Sequence, residues 1–478
     1  MRSVHPLIPL GAALVPLAAC VNVDSDRPAI PRPDPRAAEV PPGYRVEVAL
    51  EGLMYPSSVE FDDVGRIYVA ECGHMPGDSE RAPRILQFRP DGSGRKVFAE
   101  QGLLAPVTDL SWAHGKLWVS HRGKISYTDG KTLRDVVTDL PSLGDHSNNQ
   151  LAVAADGKIY VGIGTATNAG VVGPDNFAFG WPRQHPEVCE VPARDIVLTG
   201  EVFESEDPRN PGATARTSAY QPFGTVVPAG TVVRGRTKCN SAILRVNPDG
   251  SELEVFAWGF RNPYGLLWAP DGRLYCADAG SDERGSRHIA NAPEKLWVIE
   301  KDGFYGWPDF VANKPVADAA FRPTKSKAPQ PLWQTHPESK APFVTFESHA
   351  SVTQLDVCRD AAFAKVGLLF VGSSGDQSEV TAAAPVRAGY WVKTVDPLTA
   401  ETATFFTARK DALGPPGLEY VVTAGPRRLV DVRCHPSDRS LWVVDIGPLR
   451  YRKGAKGPEP VAFPGTGVIW KIVRDGAN

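Results

Sequence analysis

The chain has 478 residues, of which 42% are hydrophobic and 22% charged, the balance of an ordinary globular protein with an ample core. Its formal charge of −3 at pH 7 carries no electrostatic footprint for nucleic acid. With 45 Gly and 44 Pro it is dense in turns, and helical periodicity is scarce along it.

At the N-terminus Arg2 precedes an apolar run from Leu7 to Leu17, which ends in Leu17-Ala18-Ala19-Cys20. One basic residue, a short apolar stretch and small residues before a cut point read as a signal peptide over residues 1–19, too short to span a bilayer. The Leu-Ala-Ala-Cys string resembles a bacterial lipobox, which implies that Cys20 is lipidated and becomes the first mature residue. Val21 stands where lipoproteins kept at the inner membrane often carry Asp. The expected address is therefore the periplasmic side of the outer membrane, with the lipid as sole anchor. Residues 20–42 hold Pro28, Pro31, Pro33, Pro35, Pro41 and Pro42 and read as a stiff tether. Seven Cys less Cys20 leave six, an even number for an oxidising compartment. Cys189 and Cys239 flank one loop-rich insertion and form the first disulfide expected; Cys72, Cys276, Cys358 and Cys434 stay unassigned.

From residue 43 an internal repeat takes over. Six segments share an apolar strand, a turn and a second strand with a central aromatic. They run from Ser58-Val-Glu-Phe with Arg66-Ile-Tyr-Val69, through Thr108–Val119, Gln150–Val161, Gly265–Cys276 and Gln354–Val371, to Val430–Val443. Asp156-Gly157 and Asp271-Gly272 are hairpin signals, because both turn residues tolerate positive φ. The repeated aromatics Tyr68, Trp118, Tyr160, Tyr275, Phe370 and Trp442 read as core. Each unit needs its neighbours to bury both sheet faces. The expectation is an all-β, six-bladed propeller over residues 43–474, with insertions at about 166–238 and 300–350. The end strand Gly467–Val473 should close the ring against Tyr44–Ala49.

Three loops could carry chemistry. Gly144-Asp-His-Ser-Asn-Asn-Gln150 offers His146 as a general base at a channel mouth, or as a turn histidine held by Asp145 or Asn148. Trp258-Gly-Phe-Arg-Asn-Pro-Tyr-Gly265 offers the fork of Arg261 and the amide of Asn262 to an oxygen-rich ligand, or an ion pair with a neighbouring blade. Cys276-Ala-Asp-Ala-Gly-Ser-Asp-Glu283 places Asp278, Asp282 and Glu283 around a tight turn, fit for a hard cation such as Ca²⁺ or simply solvated. Gly162–Gly170 opens no helix, which argues against a dinucleotide fold. There is no Cys-x-x-Cys-His and no Gly-x-Ser-x-Gly.

These loops, with Ala242–Gly250, Lys301-Asp-Gly-Phe-Tyr-Gly-Trp-Pro308 and Arg428–Val432, resemble the glucose/sorbosone dehydrogenase family of soluble quinoprotein sugar dehydrogenases. The segment Ala166–Asn176 and the long insertion look nearer the sorbosone-type members. The resemblance implies oxidation of an aldose or related polyol, with pyrroloquinoline quinone (PQQ) and Ca²⁺ as cofactors and a separate electron acceptor. It implies His146 as base, Arg261 and Asn262 beside the quinone, Gly280 and Ser281 as main-chain Ca²⁺ ligands, and Arg428 on a cofactor carboxylate. Departures are Asn148-Asn149-Gln150 for the family's Gly-Gly-Arg, Thr165 for an Asp supporting the base, and Val430 for a second cofactor arginine. No basic residue stands near Ser374-Gly375. A weakened carboxylate clamp leaves a second class open: a sugar- or protein-binding propeller without the quinone. A lactone hydrolase using a metal at the acidic turn is the third.

Overall fold

The repeat becomes six four-stranded antiparallel blades around one channel. The computed structural model describes residues 27–454 and 457–476; the signal segment and Cys20 lie outside them. The inner strands are Pro56–Phe61, Val107–Ala113, Asn148–Val153, Pro263–Trp268, Val352–Val357 and Leu429–Cys434. Each inner strand packs on the next, and Leu429–Cys434 packs on Pro56–Phe61 to complete the circle. The last blade is shared by the two ends of the chain: Tyr44–Leu53 pairs antiparallel with Gly467–Arg474, which in turn pairs with Ser440–Asp445. That is the expected ring closure, lengthened at the N-terminal strand.

Hydrophobic alternation places the repeated aromatics between blades. Tyr68, Trp118, Tyr160, Tyr275, Phe370 and Trp442 are all buried. Gly157 and Gly272 sit at φ +82° and +79° in the Asp-Gly hairpins, the left-handed conformation a Cβ disfavours.

Polar side chains on the inner strands then bind blade to blade. In four of the six blades the residue before the inner strand's central hydrophobe accepts a main-chain N–H of the next blade. Ser58 accepts Leu110 N–H at 3.2 Å, Asp109 accepts Leu151 N–H at 2.9 Å, and Asp431 accepts Val59 N–H at 2.9 Å across the closure. Blade four has Gly265 there, because a Cβ would meet the Thr353 carbonyl oxygen and the Leu355 side chain at 2.5 Å. Gln150 covers the gap: its carbonyl oxygen accepts Leu266 N–H at 2.9 Å and Leu355 N–H at 3.2 Å. The departure at Gln150 therefore serves ring assembly.

Two insertions leave the ring. Residues 164–241 lie between the second and third strands of blade three, and 300–343 between the third and fourth strands of blade four. Part of the Pro-rich segment read as a tether is docked instead: Ala38–Glu39 pairs with the outer strand of blade five, and the Pro31 carbonyl accepts from Arg427.

The expected Cys189–Cys239 disulfide is not formed. All six described cysteines, Cys72, Cys189, Cys239, Cys276, Cys358 and Cys434, are free. The insertion does fold back here, with Val191 N–H donating to Asn240 Oδ1 at 3.0 Å. The thiols nevertheless go to different packing groups. Cys239 lies fully buried with Ala242 and Leu244 of blade three, whereas Cys189 packs against the Val172, Phe177 and Phe223 group.

Candidate active site

In an antiparallel blade the start of the inner strand and the end of the second strand share one face. His146, Arg261-Asn262 and Arg428 precede inner strands, while Thr165, Gly280-Ser281 and Ser374-Gly375-Asp376 follow second strands. Topology thus brings His146, Arg261, Asn262, Gly280, Ser281 and Arg428 to one mouth of the channel. A cavity of about 1500 Å³ opens at the opposite mouth, lined by Glu60, Trp112, Ala152, Trp268, Asp356 and Arg433 at the far ends of the inner strands.

His146 is half-buried. Its loop pairs with the end of the second strand of blade three: Asp145 N–H donates to the Ala166 carbonyl at 3.0 Å and His146 N–H to the Thr165 carbonyl at 3.2 Å. The Thr165 carbonyl also lies 3.0 Å from His146 Nδ1, and Thr165 Oγ1 at 3.2 Å. A carbonyl oxygen only accepts, so Nδ1 carries the proton and Nε2 keeps a free lone pair. Burial, reinforced by Arg261 and Arg284, holds the ring well below the usual histidine pKa. Neither Asp145 nor Asn148 holds the ring. Asn148 instead bonds blade two, through Ser120, His121 and Lys124.

Arg261 is buried. Its Nη2 donates to Asp282 at 2.8 Å and to Asn168 Oδ1 at 3.1 Å, and its Nε to the Asn168 carbonyl at 3.2 Å. The ion pair is made with an acid of its own blade, rather than of a neighbour. Asn262 accepts from Asn149 Nδ2 at 2.9 Å, so the departure at Asn149 supports this amide.

The acidic turn does not form a carboxylate cage. Asp278 accepts the main-chain N–H of Arg261 and Asn262 at 3.1 and 2.7 Å, with Trp297 Nε1 at 3.2 Å. Asp282 also meets Arg284 at 3.2 Å and His349 at 3.6 Å. Burial opposes its ionisation, but Arg261, His349 and Arg284 outweigh burial and keep it below the usual carboxylate range. Among the described residues no group of three His, Cys, Asp or Glu is placed to hold a metal. Main-chain oxygens are the alternative: among those residues no hydrogen bond ends on the carbonyls of Gly280 or Ser281.

Arg428 is differently committed. Its Nη1 donates to the carbonyls of Ser374 and Gly375 at 3.1 and 3.2 Å, and its Nη2 to that of Asp376 at 2.9 Å. No basic side chain is needed near Ser374-Gly375 to hold that turn.

Sequence reasoning missed the residues that join these loops. Arg284 bridges Asp145 and Asp175 at 2.5 Å each, besides Asp282. Asn168 links Arg261 to the acidic turn through its carbonyl and amide, accepting Asp282 N–H at 2.8 Å. Asn176 donates to Asp145 at 2.7 Å. Of the four that were missed, Arg284, Asn168, Asp175 and Asn176, the last three come from the insertion of blade three. The only signal was local: an acidic turn ending in Arg284, and Asn-rich residues after Thr165.

Residues 227–388 match the sequence model described as Glucose / Sorbosone dehydrogenase. The match covers about a third of the chain. It contains Arg261, Asn262, Gly280 and Ser281, while His146 and Arg428 lie outside it. Quinoprotein glucose dehydrogenase B of Acinetobacter calcoaceticus is 24% identical over 182 residues, which are 38% of this chain and 29% of that protein. The match thus spans less than a third of that relative's length. The chain is similar in structure to the holo PQQ domain of pyranose dehydrogenase from Coprinopsis cinerea, with TM-score 0.57, 14% identity and coverage of 94% of this chain and 99% of that one. A calcium structure of a Trichoderma reesei carbohydrate-active enzyme of family AA12 gives TM-score 0.54 at 17% identity, covering 94% and 100%. At these identities the structural likeness establishes the fold.

Proposed function

We propose that this protein is an oxidoreductase that oxidises an aldose or related polyol with PQQ and Ca²⁺ at the cell envelope, passing electrons to a separate acceptor. One observation carries the reading: a neutral His146 with free Nε2 shares a channel mouth with an Arg261 ion pair and two uncommitted carbonyls. The donor set fits the cofactors. Uncharged carbonyl oxygens of Gly280 and Ser281 suit a hard cation, and Arg261 with Asn262 offers donors to a quinone oxygen. PQQ with Ca²⁺, when bound, would supply the two-electron acceptor and the Lewis acid.

The residues present then divide the work. His146 Nε2 takes the proton of the substrate hydroxyl, and Nδ1–H stays on Thr165, so the imidazolium that forms keeps its orientation. Its low proton affinity keeps it in the basic form across neutral pH. Asp282 holds Arg261 in place and balances its charge until an anionic partner competes for it. Arg428 supports this mouth from blade six through the 374–376 turn, leaving little of its fork for a cofactor carboxylate. That commitment is what favours the second reading, a sugar- or protein-binding propeller without quinone.

Titration of the purified protein with PQQ at rising Ca²⁺, followed by absorbance and by dye reduction over a panel of aldoses and polyols, decides between them. Saturable quinone binding with sugar-dependent dye reduction is expected. Absence of quinone binding at every Ca²⁺ concentration leaves the binding propeller. The envelope address is tested apart, by membrane fractionation of Cys20→Ala, which should become soluble.

A further inference from the structure

Glu190 lies in the insertion of blade three, 3% exposed, and every acceptor it has is turned onto one short turn. Thr167 N–H and Thr167 Oγ1 donate to its Oε1 at 2.7 Å each, and Ala166 N–H donates to its Oε2 at 3.1 Å. The same hydroxyl accepts Gly170 N–H at 2.9 Å. The carboxylate is fixed from behind: Asn240 accepts Val191 N–H at 3.0 Å, and its Nδ2 donates to the Gly164 carbonyl at 3.0 Å.

The turn so gripped is the one that carries the histidine. Gly164 N–H donates to the Ser147 carbonyl at 3.0 Å, and residues 165 and 166 accept from His146 and Asp145. The contact is close enough that a Cβ on Gly144 would meet Ala166 main-chain atoms at 2.5 Å. Thr165 Oγ1 is itself turned to the Thr167 carbonyl at 2.6 Å, so the geometry of residue 167 reaches the atoms that hold Nδ1. Burial raises the pKa of the Glu190 carboxyl to about 7 against the two main-chain amides and the hydroxyl it accepts, and a buried carboxyl with three such bonds is a directional anchor.

We infer that Glu190 is a positioning residue: its carboxylate, brought by the insertion, sets the 165–167 turn and thereby the Nδ1–H tautomer and orientation of His146. Its effect on turnover rests on the proposed function; its effect on the ring does not.

The test is ¹⁵N-histidine NMR of the full protein, with the His146 signals assigned by their loss in His146→Asn. Wild type should show the Nδ1–H tautomer. Glu190→Gln turns an NH₂ toward one of the amides, so the turn shifts and His146 becomes a mixture of tautomers. Thr167→Val removes the hydroxyl's bonds to Glu190 and from Gly170 N–H but keeps the carboxylate and its two main-chain amides, giving the same change to a smaller degree, and Thr167→Ser restores the wild-type spectrum. Where Glu190→Gln does not fold, judged by circular dichroism, Thr167→Val decides. An unchanged His146 tautomer in the folded variants, or an Nε2–H ring in wild type, overturns the inference. In reconstituted enzyme, turnover should fall roughly 10- to 100-fold, as for a displaced catalytic group. Tautomer changes without any sugar oxidation in wild type would sink the proposed function and leave this inference standing.

Discussion

Blades four and six enter their inner strands on the same scaffold and use it differently. In blade four Asp278 accepts two successive main-chain N–H groups, from Arg261 and Asn262, and a Trp297 indole. In blade six Asp445 accepts those of Arg427 and Arg428 at 2.9 and 3.1 Å and a Trp470 indole at 3.3 Å. The same scaffold thus starts the inner strands of blades four and six. The loops beyond it set what each arginine does. Asp282 meets Arg261 with a single charge, a partner that a ligand's own charge can replace. Arg428 faces three carbonyls of the neighbouring blade, and releasing it would leave those of Ser374 and Gly375 bare, while Asp376 would keep the Tyr390 hydroxyl at 3.1 Å.

Under the proposed function blades three and four carry the chemistry and blade six supports them, a division that can be broken at several points. The largest expected effect is His146→Asn, which should lower turnover by roughly 10²–10⁴ while quinone affinity stays nearly intact. Dye reduction and quinone titration of the same preparation measure both; equal losses in the two would move His146 into cofactor binding. Arg428→Met should cost about 2–4 kcal/mol of stability by denaturant unfolding. If it instead weakens quinone binding at unchanged stability, blade six belongs to the cofactor site. Asp278→Asn and Asp445→Asn should each cost about 1–3 kcal/mol, Asp278→Asn the more, because it also removes the charge facing buried Lys295 at 3.3 Å, while Asp445 adds a neutral bond from Gly447 N–H at 3.1 Å. A larger cost for Asp445→Asn would show that the Lys295 contact adds nothing to the scaffold of blade four.

The smallest expected effect is on pH dependence. The folded His146 binds its proton less readily than the unfolded ring, whose ordinary value is 6.5. The unfolded chain therefore takes up that proton first as pH falls. The ring's share of stability is present above about 6.5 and declines below it. The difference between wild type and His146→Asn in unfolding free energy should shrink as pH drops from 7 to 5. For kcat/KM, no inflection assigned to His146 should appear between pH 6 and 7. An inflection there that disappears in His146→Asn would mean the ring is more exposed to water in solution.

Much of this was legible in the chain itself. Alternation of apolar residues, Asp-Gly hairpins and a repeated aromatic are local signals, so the blade count, the ring closure by Gly467–Arg474 and the common face of His146, Arg261 and Arg428 follow from sequence order alone. Two readings failed where direction mattered. Cys189 and Cys239 flank one insertion, yet their side chains enter different packing groups, and spacing carries no information on where a side chain points. The acids of residues 278–283 read as a cation turn or a solvated one, yet Asp278 is buried, Asp282 is half-buried, and the two serve backbone amides and arginines.

What the sequence determined is the scaffold, because each blade is built from short-range patterns repeated six times. What only the tertiary structure decided is the partnership of charges at the mouth: Arg261 with Asp282, Arg284 with Asp145 and Asp175, His146 with the Thr165 carbonyl, and Glu190 with the turn behind it. Several of these partners lie far apart along the chain, and Asp175 and Glu190 come from an insertion that has no repeat to reveal its register. A buried charge takes whatever partner the packed fold brings within hydrogen-bonding distance, and that distance is set by the closed ring.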